Sequence, residues 1–136
     1  MSPRVVCDAS ALVAVLLDAG ADGTWAARTL VGAHVAAPAL LSFECSNIIR
    51  RHELAGLIGP DQAVQAHADL LALPLELWPY DVIGPKVWEL RHNLSSYDAS
   101  YVAVAELAQA VLITLDRRIS RVPQLRIVVR TPDNSD

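Results

Sequence analysis

Val5-Val6-Cys7-Asp8-Ala9-Ser10-Ala11-Leu12-Val13 reads as a short buried strand, a carboxylate where the strand stops, and the start of a helix. Val5 to Cys7 is a continuous apolar run with β-branched residues, the pattern of a strand covered on both faces. Ala11 to Leu17 is apolar enough to be a packed helix. In open parallel sheets, ligands bind in the crevice beyond the carboxyl ends of the strands, which makes Asp8 a candidate for chemistry. An Asp at this position also suits a plain helix N-cap, accepting the free N–H groups of the first turn.

Outward from this stretch the pattern alternates. Ser10 to Leu17 and Ala21 to Val31 read as helices, with Gly20 and Gly32 as stops, and His34 to Ala37 as a short strand closed by Pro38. Ala39 to Ala55 is a long helix ended by Gly56, and Asp61 to Leu73 another, bracketed by Pro60 and Pro74. Leu75 to Trp78 alternates like a strand nearer a sheet edge, and Val82 to His92 is predicted helical, with Pro85 in its first turn. Ser95-Ser96 opens a helix to about Gln109, followed by an apolar strand over Val111 to Thr114. Asp116 to Ser120 suits a short helical turn, and Arg126 to Arg130 a last strand. Strands alternating with helices predict an α/β fold: one domain over residues 1–130, a mainly parallel central sheet of about five strands, and helices on both faces. Residues 131–136 read as a polar tail that frays.

The bulk numbers narrow the function. The chain has 136 residues, 53% hydrophobic and 19% charged, which suits one compact domain with a real core. Its formal net charge of −4 gives no general attraction to nucleic acid or to anionic membrane, so a polyanion needs a local basic patch or bound cations. Lys86 is the only Lys; the other basic residues are Arg, which favours bidentate phosphate contacts. Cys7 and Cys45 sit in apolar patterns without metal-site spacing and read as reduced, buried thiols. Asp8 and Asp18 interrupt the apolar N-terminal region, and no run reaches the ~18 residues of a membrane span. A soluble, cytoplasmic protein with no membrane partner is expected.

Further acids stand in unusual places. Leu40, Leu41, Cys45, Ile48 and Ile49 form one apolar stripe of the long helix, and Glu44 falls inside it. Burying that carboxylate unpaired would cost several kcal/mol, so either an Arg such as Arg50 or Arg51 meets it or it serves a metal or catalytic role. Asp98 lines up with Tyr101, Val102 and Ala105, although Ser95-x-x-Asp98 also fits a capping-box variant at a positive helix N-terminus. Asp116 ends the Val111 to Thr114 strand much as Asp8 ends its own, and a cap explains it equally well. Taken together, two acids at strand ends and two within inward helix stripes suggest one cluster. If the two strands are neighbours, Asp8 and Asp116 lie roughly 4.8 Å apart, one strand spacing. Clustered carboxylates repel and raise one another's pKa, a conflict that a divalent cation removes. An all-oxygen cluster suits Mg²⁺ or Mn²⁺ better than Zn²⁺, and His34, His52, His67 and His92 show no paired spacing.

The pattern resembles the PIN domain, and more closely the VapC-type ribonuclease toxins of bacterial toxin–antitoxin pairs. The matching stretches are Val6-Cys7-Asp8-Ala9-Ser10-Ala11-Leu12, Leu41-Ser42-Phe43-Glu44-Cys45, Tyr97-Asp98-Ala99-Ser100-Tyr101-Val102-Ala103 and Thr114-Leu115-Asp116-Arg117-Arg118. The resemblance implies an endoribonuclease that binds Mg²⁺ or Mn²⁺ through Asp8, Glu44, Asp98 and Asp116 and leaves a 5′-phosphate and a 3′-hydroxyl. Ser10 and Thr114 would orient the carboxylates or a metal-bound water. It also implies a homodimer and a cognate antitoxin that blocks the site; Trp25, Leu30 and the Ala39 to Ala55 helix are candidates for such an interface, with core packing the competing explanation. Some PIN nucleases carry a further acid after the fourth motif, whereas here Arg117-Arg118-Ile119-Ser120 follows Asp116, which puts a firmly held second metal in doubt. Arg117 and Arg118 would contact RNA phosphates, neutralise the site, or simply lie in a solvated turn. Two other readings compete. A non-cleaving PIN-like binding module is disfavoured by the intact acid set. A phosphoacceptor receiver domain lacks its second acid beside Asp8, and Lys86 lies in a helix pattern rather than after a late strand.

Overall fold

β1 (Arg4–Cys7) lies at the centre of a five-stranded sheet in a computed structural model that describes residues 3–133. It pairs on one side with β2 (His34–Pro38) and on the other with β4 (Val111–Ile113). β3 (Glu76–Trp78) pairs with β2 and β5 (Val129–Arg130) with β4, so the order is β3-β2-β1-β4-β5 and every pairing is parallel. Successive side chains of a strand point to opposite faces, and Val6 and Cys7 are both fully buried, so both faces of β1 are covered.

Helices α1 (Ala9–Leu17) and α2 (Ala21–Leu30) connect β1 to β2; α3 (Leu40–Leu54) and α4 (Pro60–Ala72) connect β2 to β3; α5 (Tyr80–Glu89) and α6 (Ser96–Ala108) connect β3 to β4. α6 packs against β1, β2 and β4 and is buried continuously from Ala99 to Ala105, a helix apolar nearly all round. α1 packs against α2, α3 and α4. Gly23 permits the α1–α2 approach, because a Cβ there would collide with the Asp18 carbonyl oxygen. The winding runs outward from β1 to β3 and then returns to β4 on the other side. β1 and β4 therefore flank the point where the strand order reverses, the place where such sheets open a crevice.

The elements agree with the expected α/β organisation, with instructive differences. α5 begins at Tyr80, two residues before the expected Val82, and ends at Glu89, so Pro85 lies inside the helix rather than in its first turn. Pro79 stands at the N-cap, and Gly84 leaves room for the Tyr80 ring, whose nearest atom would be 2.9 Å from an added Cβ. β5 is only Val129–Arg130, because it has a single neighbour and the ladder reaches no further than Leu112 with Val129 and Ile113 with Arg130. Trp25 packs into the core rather than onto an interface face. The expected fraying tail begins with a buried Thr131, and Asp133 pairs with Arg117; residues 134–136 of that tail lie outside the described residues.

Candidate active site

Asp8 follows β1 directly and is the N-cap of α1, with extended backbone (φ −94°, ψ 179°). The expected cap and the candidate site group are thus one carboxylate. Its Oδ1 accepts the Ala11 N–H at 3.1 Å and the Ser10 hydroxyl at 2.7 Å, while Oδ2 accepts the Thr114 hydroxyl at 2.5 Å. Ser10 Oγ in turn accepts the Leu115 N–H at 3.0 Å, and Thr114 Oγ1 accepts the Asp116 N–H at 2.9 Å. The two hydroxyls, 3.4 Å apart, thus tie the end of β1 to the loop leaving β4. Ser10 and Thr114 both touch the Asp8 carboxylate, the contact that an orienting role requires.

The register revises one expectation. Cys7 pairs with Ile113, and the Asp8 N–H donates to the Ile113 carbonyl at 3.2 Å. Thr114 therefore comes abreast of Asp8, and Asp116 lies two residues further along instead of directly across one strand spacing.

Asp8 is only 8% exposed, and burial pushes its carboxyl above the ordinary carboxylate range; the three hydrogen bonds pull the other way, and the Asp116 charge adds to the rise. Among the described residues no basic side chain pairs with Asp8, Glu44 or Asp98. Asp116 differs. The Arg118 guanidinium lies across its carboxylate, with Nη2 at 2.6 Å from Oδ2 and Nε at 3.0 Å from Oδ1, and the Arg118 N–H donates to Oδ1 at 3.0 Å. That clamp holds the Asp116 carboxyl below its usual range.

Glu44 is half-buried on α3, and no Arg meets it among the described residues; the Tyr101 hydroxyl of α6 donates to its Oε1. Burial, then the Glu44 hydrogen bond and charge, push the phenol upward, so it remains a donor at neutral pH. Asp98 is half-buried in the first turn of α6, and its N–H donates to Ser95 Oγ at 3.2 Å, which is the expected cap. Its charge, after that of Asp116, helps keep Arg118 protonated. Asp98 and Tyr101 are three residues apart and share a helix face. Cys45, beside Glu44, is pushed up to about 12 by burial and by the charges of Asp8 and Glu44, and burial likewise raises Cys7. Both thiols are inert core groups.

The donor set fits a hard divalent cation in one particular way. Among the described residues, no three His, Cys, Asp or Glu side chains stand close enough to hold one ion together, so the four expected acids do not converge into a closed cage. Mg²⁺ keeps several waters and takes one or two carboxylates, and Asp8 is a buried charge with no cationic partner. Oxygen donors around Asp8 fit that water-rich mode, whereas Asp116 already has a cation in Arg118.

Tyr101 and Arg118 are the residues whose contacts sequence reasoning did not supply. Tyr101 was legible only as a member of the Asp98 stripe, and Arg118 only as one of several possible roles in the turn after Asp116.

A parallel sheet with a hydroxyl-clamped carboxylate at its switch point belongs to a known class: residues 5–125 match the model of the PIN domain, and the chain belongs to that family. Its relatives narrow the class. Ribonuclease VapC9 of Mycobacterium tuberculosis is 37% identical over 119 residues, covering 85% of this chain and 88% of VapC9. Ribonuclease VapC12 of the same organism is 34% identical over 117 residues, covering 86% and 90%. Among solved structures, PAE2754 from Pyrobaculum aerophilum superposes with a TM-score of 0.61 at 25% identity, covering 95% of this chain and 92% of that one. Mycobacterium tuberculosis VapC20, described as a toxin cleaving the sarcin-ricin loop, shares the fold with a TM-score of 0.66 at 21% identity, covering 86% and 93%.

Proposed function

We propose that this protein is a Mg²⁺- or Mn²⁺-dependent endoribonuclease toxin of the VapC type, acting in the cytoplasm and silenced by a cognate antitoxin. The carrying observation is Asp8: a buried, cation-free carboxylate, held by two hydroxyls and a backbone N–H at the sheet's switch point. Kinship with named VapC ribonucleases over most of the chain supports the same reading.

Asp8 and Asp98 are the leading metal-binding residues, with Glu44 and Asp116 completing the acidic rim. A divalent cation held there would supply charge neutralisation at the scissile phosphate and a water of lowered pKa. The chain's own groups prepare for it. Ser10 and Thr114 fix the rotation of the Asp8 carboxylate; Tyr101 engages Oε1 of Glu44 and leaves Oε2 free of protein hydrogen bonds among the described residues. Arg118 offsets part of the Asp116 charge and presents an exposed cation beside the site. A 5′-phosphate and a 3′-hydroxyl are the expected products. A homodimer is the expected assembly. Among the described residues no helix is long and apolar enough to cross a membrane.

The test is to map RNA 5′ ends in cells producing the protein or its Asp98→Asn form. New 5′-phosphate ends should appear only with the unaltered chain, and purified protein should lose cleavage in EDTA and regain it with Mg²⁺ or Mn²⁺. Identical ends from both forms would overturn the assignment, and cleavage indifferent to chelation would exclude the metal mechanism.

A further inference from the structure

Residues 117–130 hold Arg117, Arg118, Arg121, Arg126 and Arg130 and no acid, in a chain whose formal net charge is −4. This basic segment begins beside Asp116 and ends at β5. There the Arg130 carbonyl accepts, at 3.1 Å, the N–H of Thr114, the residue abreast of Asp8. Arg121 and Arg130 make no ion pair among the described residues, so their charge is free to draw a phosphate chain to this side of the crevice. The two cations next to Asp116 are used differently. Arg117 pairs with Asp133 beyond β5. Arg118 turns back two residues and lays its guanidinium on both Asp116 oxygens, bonding to nothing else among the described residues, although it is 79% exposed.

We propose that Arg118 is a phosphate-binding residue that exchanges between Asp116 and the RNA backbone, so that an arriving phosphate uncovers Oδ2 of Asp116 for the metal. This rests on the nuclease reading of the acid site and adds how that site is completed. The exchange costs little, because an exposed ion pair contributes little and both ions regain water when they part. A guanidinium offers phosphate the same two-pronged donor face that it offers carboxylate, so one anion replaces the other like for like. While the pair is closed, the guanidinium charge opposes a cation at Asp116. The Asp98 charge acts on the same guanidinium, so its departure raises the negative potential at two site acids. Oδ1 keeps the Arg118 backbone N–H at 3.0 Å, which holds the carboxylate in place as the side chain leaves. Metal and phosphate then favour each other by the same factor, as linkage requires.

The phosphate probe is uridine 5′-monophosphate, which carries a 5′-phosphate and has no phosphodiester bond to cut. Mn²⁺ binding to the full chain is followed by the electron paramagnetic resonance of the free ion, with and without the nucleotide, against a protein-free control. Nucleotide binding alone is measured in EDTA by calorimetry. Arg118→Ala should move the two affinities in opposite directions: Mn²⁺ alone should bind roughly two- to fivefold tighter, and the nucleotide roughly tenfold weaker. In the unaltered protein the nucleotide should tighten Mn²⁺ binding beyond the control, and Arg118→Ala should lose most of that gain. Arg117→Ala, which removes a cation committed to Asp133, should leave both affinities within about twofold. A gain that survives Arg118→Ala intact would assign the phosphate to the metal alone and overturn the exchange. So would shifts of both affinities in the same direction, or equal effects from Arg117→Ala. If the opposite shifts appear but the protein never cuts RNA, the nuclease reading fails while the exchange stands.

Discussion

Replacing Asp8 with Asn separates its structural and chemical roles. The side chain keeps its shape and loses its charge. Oδ1 can still accept from Ser10 and Ala11, while the new Nδ2 faces Thr114 Oγ1, which already accepts the Asp116 N–H. Thr114 has a second lone pair for that donor, but its own hydrogen loses an acceptor, at a cost of about 1–3 kcal/mol. Against this stands the removal of a buried, cation-free charge, worth several kcal/mol. The upward displacement of the Asp8 carboxyl points to the second: desolvation, with the Asp116 charge, outweighs the three hydrogen bonds. The Asp8→Asn protein without metal should therefore be as stable as the parent or more so, by up to ~2 kcal/mol, with a Tm rise of about 2–8 °C per kcal/mol. Adding Mg²⁺ should stabilise only the parent, by about 2.7 kcal/mol at a concentration of 100 Kd. Cleavage should fall on the order of a thousandfold, the loss of several kcal/mol of transition-state stabilisation. Thermal unfolding in EDTA and in Mg²⁺, with a cleavage assay on the same samples, measures all of these. If the metal-free Asp8→Asn protein were destabilised by more than ~2 kcal/mol, Asp8 would be chiefly a cap. Undiminished cleavage would remove it from the site.

Thr114→Val deletes the hydroxyl that donates to Asp8 and accepts from Asp116 while keeping the volume; denaturant unfolding should show a loss of about 1–3 kcal/mol, and cleavage should weaken as the carboxylate loosens. Arg118→Ala removes the guanidinium from both Asp116 oxygens, leaving only the backbone N–H of residue 118 on Oδ1. Because Arg118 is 79% exposed, the unfolding midpoint should barely move, whereas calorimetry should show tighter Mn²⁺ binding; an unchanged isotherm would refute the neutralising role. Away from the site, Lys86 pairs with Glu106 at 3.1 Å and Glu89 at 3.2 Å, bonds that raise its pKa. A raised amine pKa stabilises the fold below the unfolded value of about 10.4 and loses that contribution as pH climbs through the folded value. Above roughly pH 10.5 the parent's urea midpoint should fall faster than that of Lys86→Met; parallel curves would show that the pairs contribute nothing.

Local patterning alone determined much of this molecule. The apolar run of β1, the alternation of strands with helices, and the placement of Asp8, Glu44, Asp98 and Asp116 on inward or strand-end positions are consequences of side-chain period and burial, which the chain carries residue by residue. Even the cap at Asp8 was legible, because an N-cap is a contact three residues long. Tertiary structure decided what crosses from one element to another. The β1–β4 register placed Thr114 rather than Asp116 abreast of Asp8, and the approach of α6 to α3 gave Glu44 a phenol partner, where an Arg was one of the two expectations. The turn after β4 committed Arg118 to Asp116, and among the described residues the acids form no closed cage. Periodicity says which face a residue takes; only the packed chain says which distant residue meets it there, because register and helix approach are set by the whole core at once.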